Sequence, residues 1–200
     1  MRKQLADLLS ARDGHFLLES GHHGELWLDL ELLCLHPERV QPLAAELARR
    51  LARLQPSAIC GPLIEGAFIG LMVAAALRVE FFYTERITGT TSGGLYSVDY
   101  RVPKPLRTGL QGQRVIVVND VINAGSSVRG TVSDLAECGA DVIGIASLLV
   151  LGDWAARFAR DEGTGLEALD SRPNRLWTPA DCPLCASGVP LVDNALAADP

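Results

Sequence analysis

The feature that most constrains this chain is the stretch VIVVNDVINAGSSV, residues 115–128. Val115 to Val118 are β-branched and read as a buried strand. Asn119 and Asp120 fall at its carboxyl end. A loop of small and hydroxyl residues follows, Asn123-Ala124-Gly125-Ser126-Ser127. A helix opens directly after it, with Val128, Val132, Leu135 and Ala136 on one face. Strand, acid, small-residue loop and helix N-terminus in this order make an oxyanion site. The helix end supplies free N–H groups and the positive end of its dipole. Ser126 and Ser127 add hydroxyl donors, and Asp120 sits where a carboxylate can accept from vicinal sugar hydroxyls. The implied ligand is a sugar phosphate; the bland alternative is an ordinary strand–turn–helix unit.

The flanking sequence repeats the strand–helix alternation. Pro37 opens a predicted helix to about Leu54, striped by Val40, Leu43, Ala44, Leu47 and Leu51. Ala58-Ile59-Cys60 reads as a short buried strand, Gly61 to Gly66 as a loop, and the apolar run to about Leu77 as a helix. Phe81 to Thr84 is a strand, Val142 to Leu151 another, and 153–160 a short helix. Such alternation predicts a parallel sheet covered on both faces, with ligands at the carboxyl strand ends. Loops 61–66 and 123–127 both fall there. Residues 87–112 carry no helical stripe and several Gly and Pro, which marks a functional or mobile loop; its part 95–102 is compatible with a short strand or hairpin. The front predicts a helix over 2–11 ended by Asp13-Gly14, a strand at 15–18, a turn at 20–24 and an alternating strand at 26–31. These make a small flap on the main body. The tail from Asp181 is turn-rich, with a weakly structured acidic end.

Two hundred residues, nearly half of them apolar, fit one domain with a large core. A net charge of −6 and the lack of a basic run argue against a nucleic-acid partner. The five scattered cysteines suggest reduced thiols. The apolar runs are too short to span a bilayer, so no membrane partner and a cytoplasmic location are expected. Only two lysines occur, Lys3 and Lys104.

VIVVNDVINAGSS resembles the phosphoribosyl-pyrophosphate signature of type I phosphoribosyltransferases. The segments GHFLLESGHHGELWLDL, ICGPLIEGAFIG, Tyr83-Thr84-Glu85-Arg86 and CPLCASGVPL are similar to the orotate-type branch of that family. The resemblance covers about residues 12–192. It implies a five-stranded parallel sheet with helices on both faces and a hood from about 14–34 and 166–192. It further implies a mobile loop over about 87–107, a homodimer, and Mg2+-dependent transfer of ribose 5-phosphate from phosphoribosyl pyrophosphate to a nucleobase. By position, Asn123, Ala124, Gly125, Ser126 and Ser127 cradle the 5-phosphate. Asn119 and Asp120 face the ribose, with Asp120 touching the metal only through substrate. Leu63, Ile64, Glu65 and Gly66 form the pyrophosphate loop. Arg86 serves the pyrophosphate, of its own or a neighbouring subunit. His22 and Trp27 belong to the hood beside the base. Asp120, Arg86 and Lys104 are the candidate catalytic residues.

The sequence departs from the family at the chemistry. Asn119 replaces the first of two acids and Asn123 the usual Thr of the phosphate loop. Glu65 stands where orotate enzymes tend to have Lys or Gly. Ile87 to Gly94 lacks the loop's usual lysines and histidine, leaving Lys104, Arg101 and Arg107. Pro103 and Pro105 flank Lys104 and restrict its backbone. His22 takes a usual Lys position, and the base-recognising Arg is missing near Leu151. These changes keep three functions open: an orotate-type transferase, a transferase for another base, and a non-catalytic nucleotide sensor. His22 and His23 read as an exposed turn and His15 as structural. Cys182 and Cys185 have zinc-ligand spacing, but a single such pair reads as a packed tail turn. For Arg86 the bland reading is a salt bridge to Glu85 or another neighbour. For Glu65 it is an acid favouring the helix dipole.

Overall fold

The structure, a computed structural model, describes residues 2–87 and 95–193. In chain order its elements are α1 (Arg2–Ala6), β1 (Ala11–Leu17), β2 (His23–Leu28), α2 (Pro37–Leu51), β3 (Ala58–Pro62), α3 (Glu65–Leu77), β4 (Glu80–Ile87), β5 (Asp99–Arg101), β6 (Arg114–Ile122), α4 (Ser126–Glu137), β7 (Asp141–Leu151), α5 (Trp154–Asp161), β8 (Gly165–Arg172), β9 (Leu176–Trp177) and α6 (Pro183–Ala186). Short 3₁₀ helices cover Leu30–Leu35 and Lys104–Leu110.

The central sheet has the order β5-β4-β3-β6-β7-β8. Strands β4, β3, β6, β7 and β8 are mutually parallel, and β5 adds an antiparallel edge. β6 shows why the run 115–118 is apolar throughout. Ile116 and Val118 enter the core beneath α2 and α3, while Val115 and Val117 enter the core beneath α4 and α5. A parallel strand buried on both faces has no solvent side to mark with polar residues. The α2 stripe Val40, Leu43, Ala44, Leu47 and Leu51 is fully buried, as its spacing predicts. Each such Leu or Val contributes roughly 1.5–3 kcal/mol of burial.

The five parallel strands agree with the fold read from sequence, but the fifth lies elsewhere. Residues 165–172, assigned to the hood in the sequence reading, form β8 of the main sheet. An edge strand needs no continuous apolar run. Glu167 of β8 pairs with Arg50 at 3.2 Å and Arg53 at 3.0 Å, which charges this edge. The front helix is also shorter than predicted. It stops at Ala6, because Ala11 already pairs with Leu28 and Arg12 bonds Asp29 at 2.8 Å.

The hood is the antiparallel sheet β1-β2-β9. Residues 95–107, the second half of the predicted mobile loop, carry β5 and the start of a 3₁₀ helix, with Val98, Tyr100 and Val102 buried. Asp134 of α4 anchors this segment. It accepts from the Val102 N–H at 2.7 Å and from Arg107 Nη1 at 2.7 and 2.8 Å. The first half, residues 88–94, lies outside the described residues, as does the acidic end at 194–200.

Candidate active site

One cleft of about 290 Å³ opens at the carboxyl ends of β3 and β6, beneath the hood. Residues 62–66, 119–127, Leu18–Ser20, Leu26–Leu28 and Tyr100 surround it. Thus both glycine-containing loops singled out in the sequence meet one space, at the sheet edge where parallel α/β folds bind ligands.

The phosphate-type loop is built around Gly125, whose φ is +80°. A Cβ there would strike the Trp154 ring, so only glycine lets α5 close against the loop. The first bond of α4 runs from the Arg129 N–H to the Gly125 C=O at 2.9 Å. The N–H groups of Ser126, Ser127 and Val128 precede it and are the free donors of the helix end. Neighbouring groups fix the loop from outside. Asn174 Nδ2 donates to Asn123 Oδ1 at 2.8 Å, and the Tyr96 hydroxyl to the Ala124 C=O at 3.0 Å. Asn123 therefore spends its side-chain oxygen on the scaffold, not on a ligand.

Asp120 and Asn119 part company. Asp120 is buried, and its Oδ2 has no hydrogen-bond partner among the described residues. Burial pushes its pKa from 3.8 up to about 7; the Val121 N–H pulls it back and Glu65 pushes it further up. A buried carboxylate with an unspent oxygen in a cleft is the mark of a ligand-binding group. Ser147 holds the Asp120 backbone through a 2.8 Å bond to its C=O. Asn119, by contrast, donates from Nδ2 to the Val121 C=O at 2.9 Å and to Ser127 Oγ at 3.4 Å. Its Oδ1 occupies the place a Cβ on Gly66 would take. Asn119 thus staples the two loops together at the cleft wall, with its amide N–H groups already engaged. Its amide fills, without charge, the space between them.

The loop Leu63, Ile64, Glu65 and Gly66 starts with the Leu63 N–H bonded to the Thr84 C=O at 2.9 Å and contains a cis Leu63–Ile64 peptide. Glu65 opens α3 and lines the cleft. Among the described lining residues Glu19, Glu31, Glu65 and Asp120 are acidic and none is basic.

The candidate cations lie away from this space. Lys104 is exposed, lines a separate groove together with Glu85, Arg101 and Arg107, and does not line the cleft. Arg107 is engaged by Asp134. Arg86 pairs with Glu19 at 3.5 Å, not with Glu85, and so reaches the cleft rim through Glu19. His22 does not line the cleft. Its Nδ1 lies 3.0 Å from Ser20 Oγ and its ring packs edge-on to Tyr96 at 5.4 Å. Burial and then His23 lower its pKa, which weakens it as a stand-in for a lysine. Trp27 does line the cleft, oriented by a 3.1 Å bond from Nε1 to Asp29.

Two residues missed in the sequence join the hood to the body. The buried Tyr100 hydroxyl donates to Glu19 at 2.9 Å, and burial followed by Glu19 raises its pKa. Tyr100 had no distinguishing pattern, because it lies in a segment without periodicity. His23 and the tail cysteines need correction. His23 is buried, not in an exposed turn, and Cys182 and Cys185 face His15 and His23 instead of closing a simple turn. The hairpin folds two residues eight apart onto one tail pair, which linear spacing does not display.

A parallel sheet, an acid at the end of its middle strand and a helix-end anion loop define an α/β protein with a sugar-phosphate type of site. The model of the phosphoribosyl transferase domain matches residues 36–167, and the chain belongs to that family. It is 34% identical to the orotate phosphoribosyltransferase of Pelotomaculum thermopropionicum over 182 residues, covering 90% of this chain and 87% of that protein. It is 31% identical to that of Carboxydothermus hydrogenoformans, covering 90% and 88%. Among solved structures it is similar to orotate phosphoribosyltransferase from Mycobacterium tuberculosis, with TM-score 0.63, 22% identity and coverage of 85% and 95%. Adenine phosphoribosyltransferase from Trypanosoma brucei aligns with TM-score 0.66, 17% identity and coverage of 85% and 78%. The chain is a phosphoribosyltransferase that uses phosphoribosyl pyrophosphate to modify a nucleobase.

Proposed function

We propose that the chain carries out orotate-type phosphoribosyl transfer, with Asp120 and the 123–127 loop holding the sugar phosphate. The observation that carries this reading is the unspent Oδ2 of buried Asp120 in the same cleft as the N-terminus of α4. The loop amides and the Ser126 and Ser127 hydroxyls bind the 5-phosphate without a cation. Asp120 accepts from ribose hydroxyls and holds the ring over the loop. Ile64 to Gly66 supply backbone donors to the leaving pyrophosphate. The hood, through Leu18, Leu26 and Trp27, covers the reacting carbon and keeps water from intercepting an oxocarbenium-like transition state. Asp120 also lies where its charge favours that positive ring.

The residues fit Mg2+ bound with the diphosphate, because the cleft presents the carboxylates Glu65 and Asp120 and no described basic side chain. When bound, the ion neutralises charge on the leaving pyrophosphate. A homodimer agrees with the exposed stripe Ile64, Phe68 and Leu71 beside the pyrophosphate loop, 59%, 44% and 52% exposed. Among the described residues no helix is long and apolar enough to cross a membrane.

One observation favours a second acceptor. Orotate carries a carboxylate, and the described cleft lining has four acids and no base. A neutral nucleobase would meet less repulsion there. The test is nucleotide formation from phosphoribosyl pyrophosphate and Mg2+ with orotate, uracil, adenine and other bases. Turnover of orotate is expected. Turnover of a neutral base alone selects the second acceptor, and turnover of none overturns the enzymatic reading.

A further inference from the structure

Outside the cleft, four ligand-type side chains converge in the hood. His15 of β1, His23 of β2, and Cys182 and Cys185 at α6 each offer one ligand atom, all within 4.8 Å of one another. His15 Nε2 lies 3.1 Å from His23 Nδ1, 3.4 Å from Cys182 Sγ and 3.7 Å from Cys185 Sγ. Cys185 Sγ lies 3.3 Å from His23 Nδ1. Tetrahedral zinc, with bonds of about 2.0–2.1 Å to nitrogen and about 2.3 Å to sulfur, has ligand-to-ligand edges of roughly 3.3–3.8 Å. The three histidine–cysteine separations given above fall in that range, and the His15–His23 separation lies just below it.

Proton bookkeeping points the same way. His15 Nδ1 lies 2.9 Å from the Val189 C=O. A carbonyl only accepts, so Nδ1 carries the proton and Nε2 presents a lone pair toward the cluster. One lone pair can take one donor, yet three ligand atoms crowd it. A single cation satisfies all four at once. The carbonyl bond to the distal nitrogen is also the support that metal-ligating histidines ordinarily have.

The position explains the need. The hood sheet is small, and β9 has two residues. His15, His23 and Cys182 are buried yet belong to neither main hydrophobic core. The cysteines come from a tail far along the chain from the hairpin, joined to it otherwise by the short β2–β9 pairing, the Arg175–Glu25 pair, the Val189 C=O bond to His15 and the pairing of Val192 with His15 and Leu17. An assembly with so little apolar core is where a metal replaces packing.

We propose that His15, His23, Cys182 and Cys185 bind one structural Zn2+ that fastens the C-terminal tail to the hood hairpin. The ion thereby fixes the hairpin whose other residues, Leu18 to Ser20 and Leu26 to Leu28, wall the cleft. The site is closed: four protein ligands leave no position for substrate, so its role is structural.

The test uses the full chain, freed of any histidine tag and purified under reducing conditions without chelator. Elemental analysis is expected to give about one zinc per chain. Cys182→Ser with Cys185→Ser should abolish that zinc, while Cys34→Ser, outside the cluster, keeps it. Because the double variant could misfold, the unaltered protein is also stripped and titrated with Co2+. Tetrahedral ligand-field absorption with thiolate charge transfer, displaced by Zn2+, is the expected result. Metal-free protein that shows no such spectrum, or a Cys182–Cys185 disulfide in the freshly isolated chain, overturns the proposal.

Discussion

Asp120→Asn should make this protein more stable and less able to bind its substrate, by amounts that depend on pH. The shift of Asp120 from 3.8 to about 7 corresponds to about 4 kcal/mol of resistance to ionisation in the folded state. The sign follows from proton counting. Between these two values the folded chain keeps a proton that the unfolded chain has released. The stability this group contributes is therefore complete below pH 3.8, falls as pH rises toward 7, and levels off above it. Asparagine cannot ionise. It retains one oxygen for the Val121 N–H and exchanges an unpaired buried oxygen for an unpaired buried amide, a near balance of terms worth about 1–3 kcal/mol each.

The stability advantage of Asp120→Asn should accordingly grow by about 2.5–3 kcal/mol between pH 5 and pH 8, at about 1.4 kcal/mol per unit until pH 7. Urea unfolding of both proteins at pH 5, 6, 7 and 8 measures this. A difference constant to within about 0.5 kcal/mol across the series would refute the raised pKa and the desolvation behind it. The binding arm runs the opposite way. Ribose hydroxyls donate far more strongly to the ionised carboxylate than to its protonated form or to an amide oxygen, so the variant should bind phosphoribosyl pyrophosphate about a hundredfold more weakly, from one charged hydrogen bond or two. In the parent, binding near pH 6 should release a proton, visible as a buffer-dependent heat, and the variant should lose that component. Equal affinity in the two proteins would remove Asp120 from the ribose site.

Gly125→Ala should cost more than about 2 kcal/mol, since it adds a methyl against Trp154 at a φ of +80°; ribose 5-phosphate binding should be lost, and a parent-like affinity would show that this loop is not the cradle. Arg107→Ala leaves Asp134, 4% exposed, with the Val102 N–H and a long 4.0 Å bond from Cys138 Sγ, and should destabilise by about 3 kcal/mol in urea; a loss under about 1 kcal/mol would mean solvent reaches the carboxylate. Glu65→Gln should tighten pyrophosphate binding without Mg2+ and so shrink the affinity ratio with and without the ion severalfold; an unchanged ratio would place Glu65 away from the pyrophosphate. Phe68→Glu puts a charge in the exposed α3 stripe and should shift a dimer to monomer in light scattering; a monomeric parent would sink the interface.

What sequence could show depended on whether the information was local. The phosphate loop was legible because strand, acid, loop and helix end are consecutive, and the α2 stripe because its period is short. β8 was not legible, since an edge strand held by Glu167 and two arginines carries no buried run. Resemblance assigned Asn119 to the ribose and Lys104 to catalysis from position alone. The side chains qualify both: Asn119 lines the cleft with its amide already bonded to Val121 and Ser127, and Lys104 lines a separate groove with Arg101 and Arg107. The hood histidines and tail cysteines were each visible, but their meeting is a tertiary fact. A pair of histidines flanking a hairpin turn, together with one CxxC, was the signal available.

The charge of the cleft then bears on how a phosphoribosyl site works here. Phosphoribosyl pyrophosphate is a polyanion, yet the described lining has four carboxylates and no basic side chain. The 5-phosphate end tolerates this, because neutral backbone donors and a helix dipole bind an anion without a counter-charge. The pyrophosphate end does not, because Glu65 stands at the loop that must hold it. Repulsion between like charges in a half-enclosed cleft is several times its value in water. A divalent cation between Glu65 and the diphosphate converts that repulsion into two attractions, so the acid that looks like a lost lysine becomes a reason for a steeper Mg2+ requirement. Turnover should fall below detection when Mg2+ is removed, and Glu65→Gln, by deleting one of the two attractions, should raise the Mg2+ concentration needed for half-maximal rate; an unshifted midpoint would show that the carboxylate and the ion do not share the pyrophosphate.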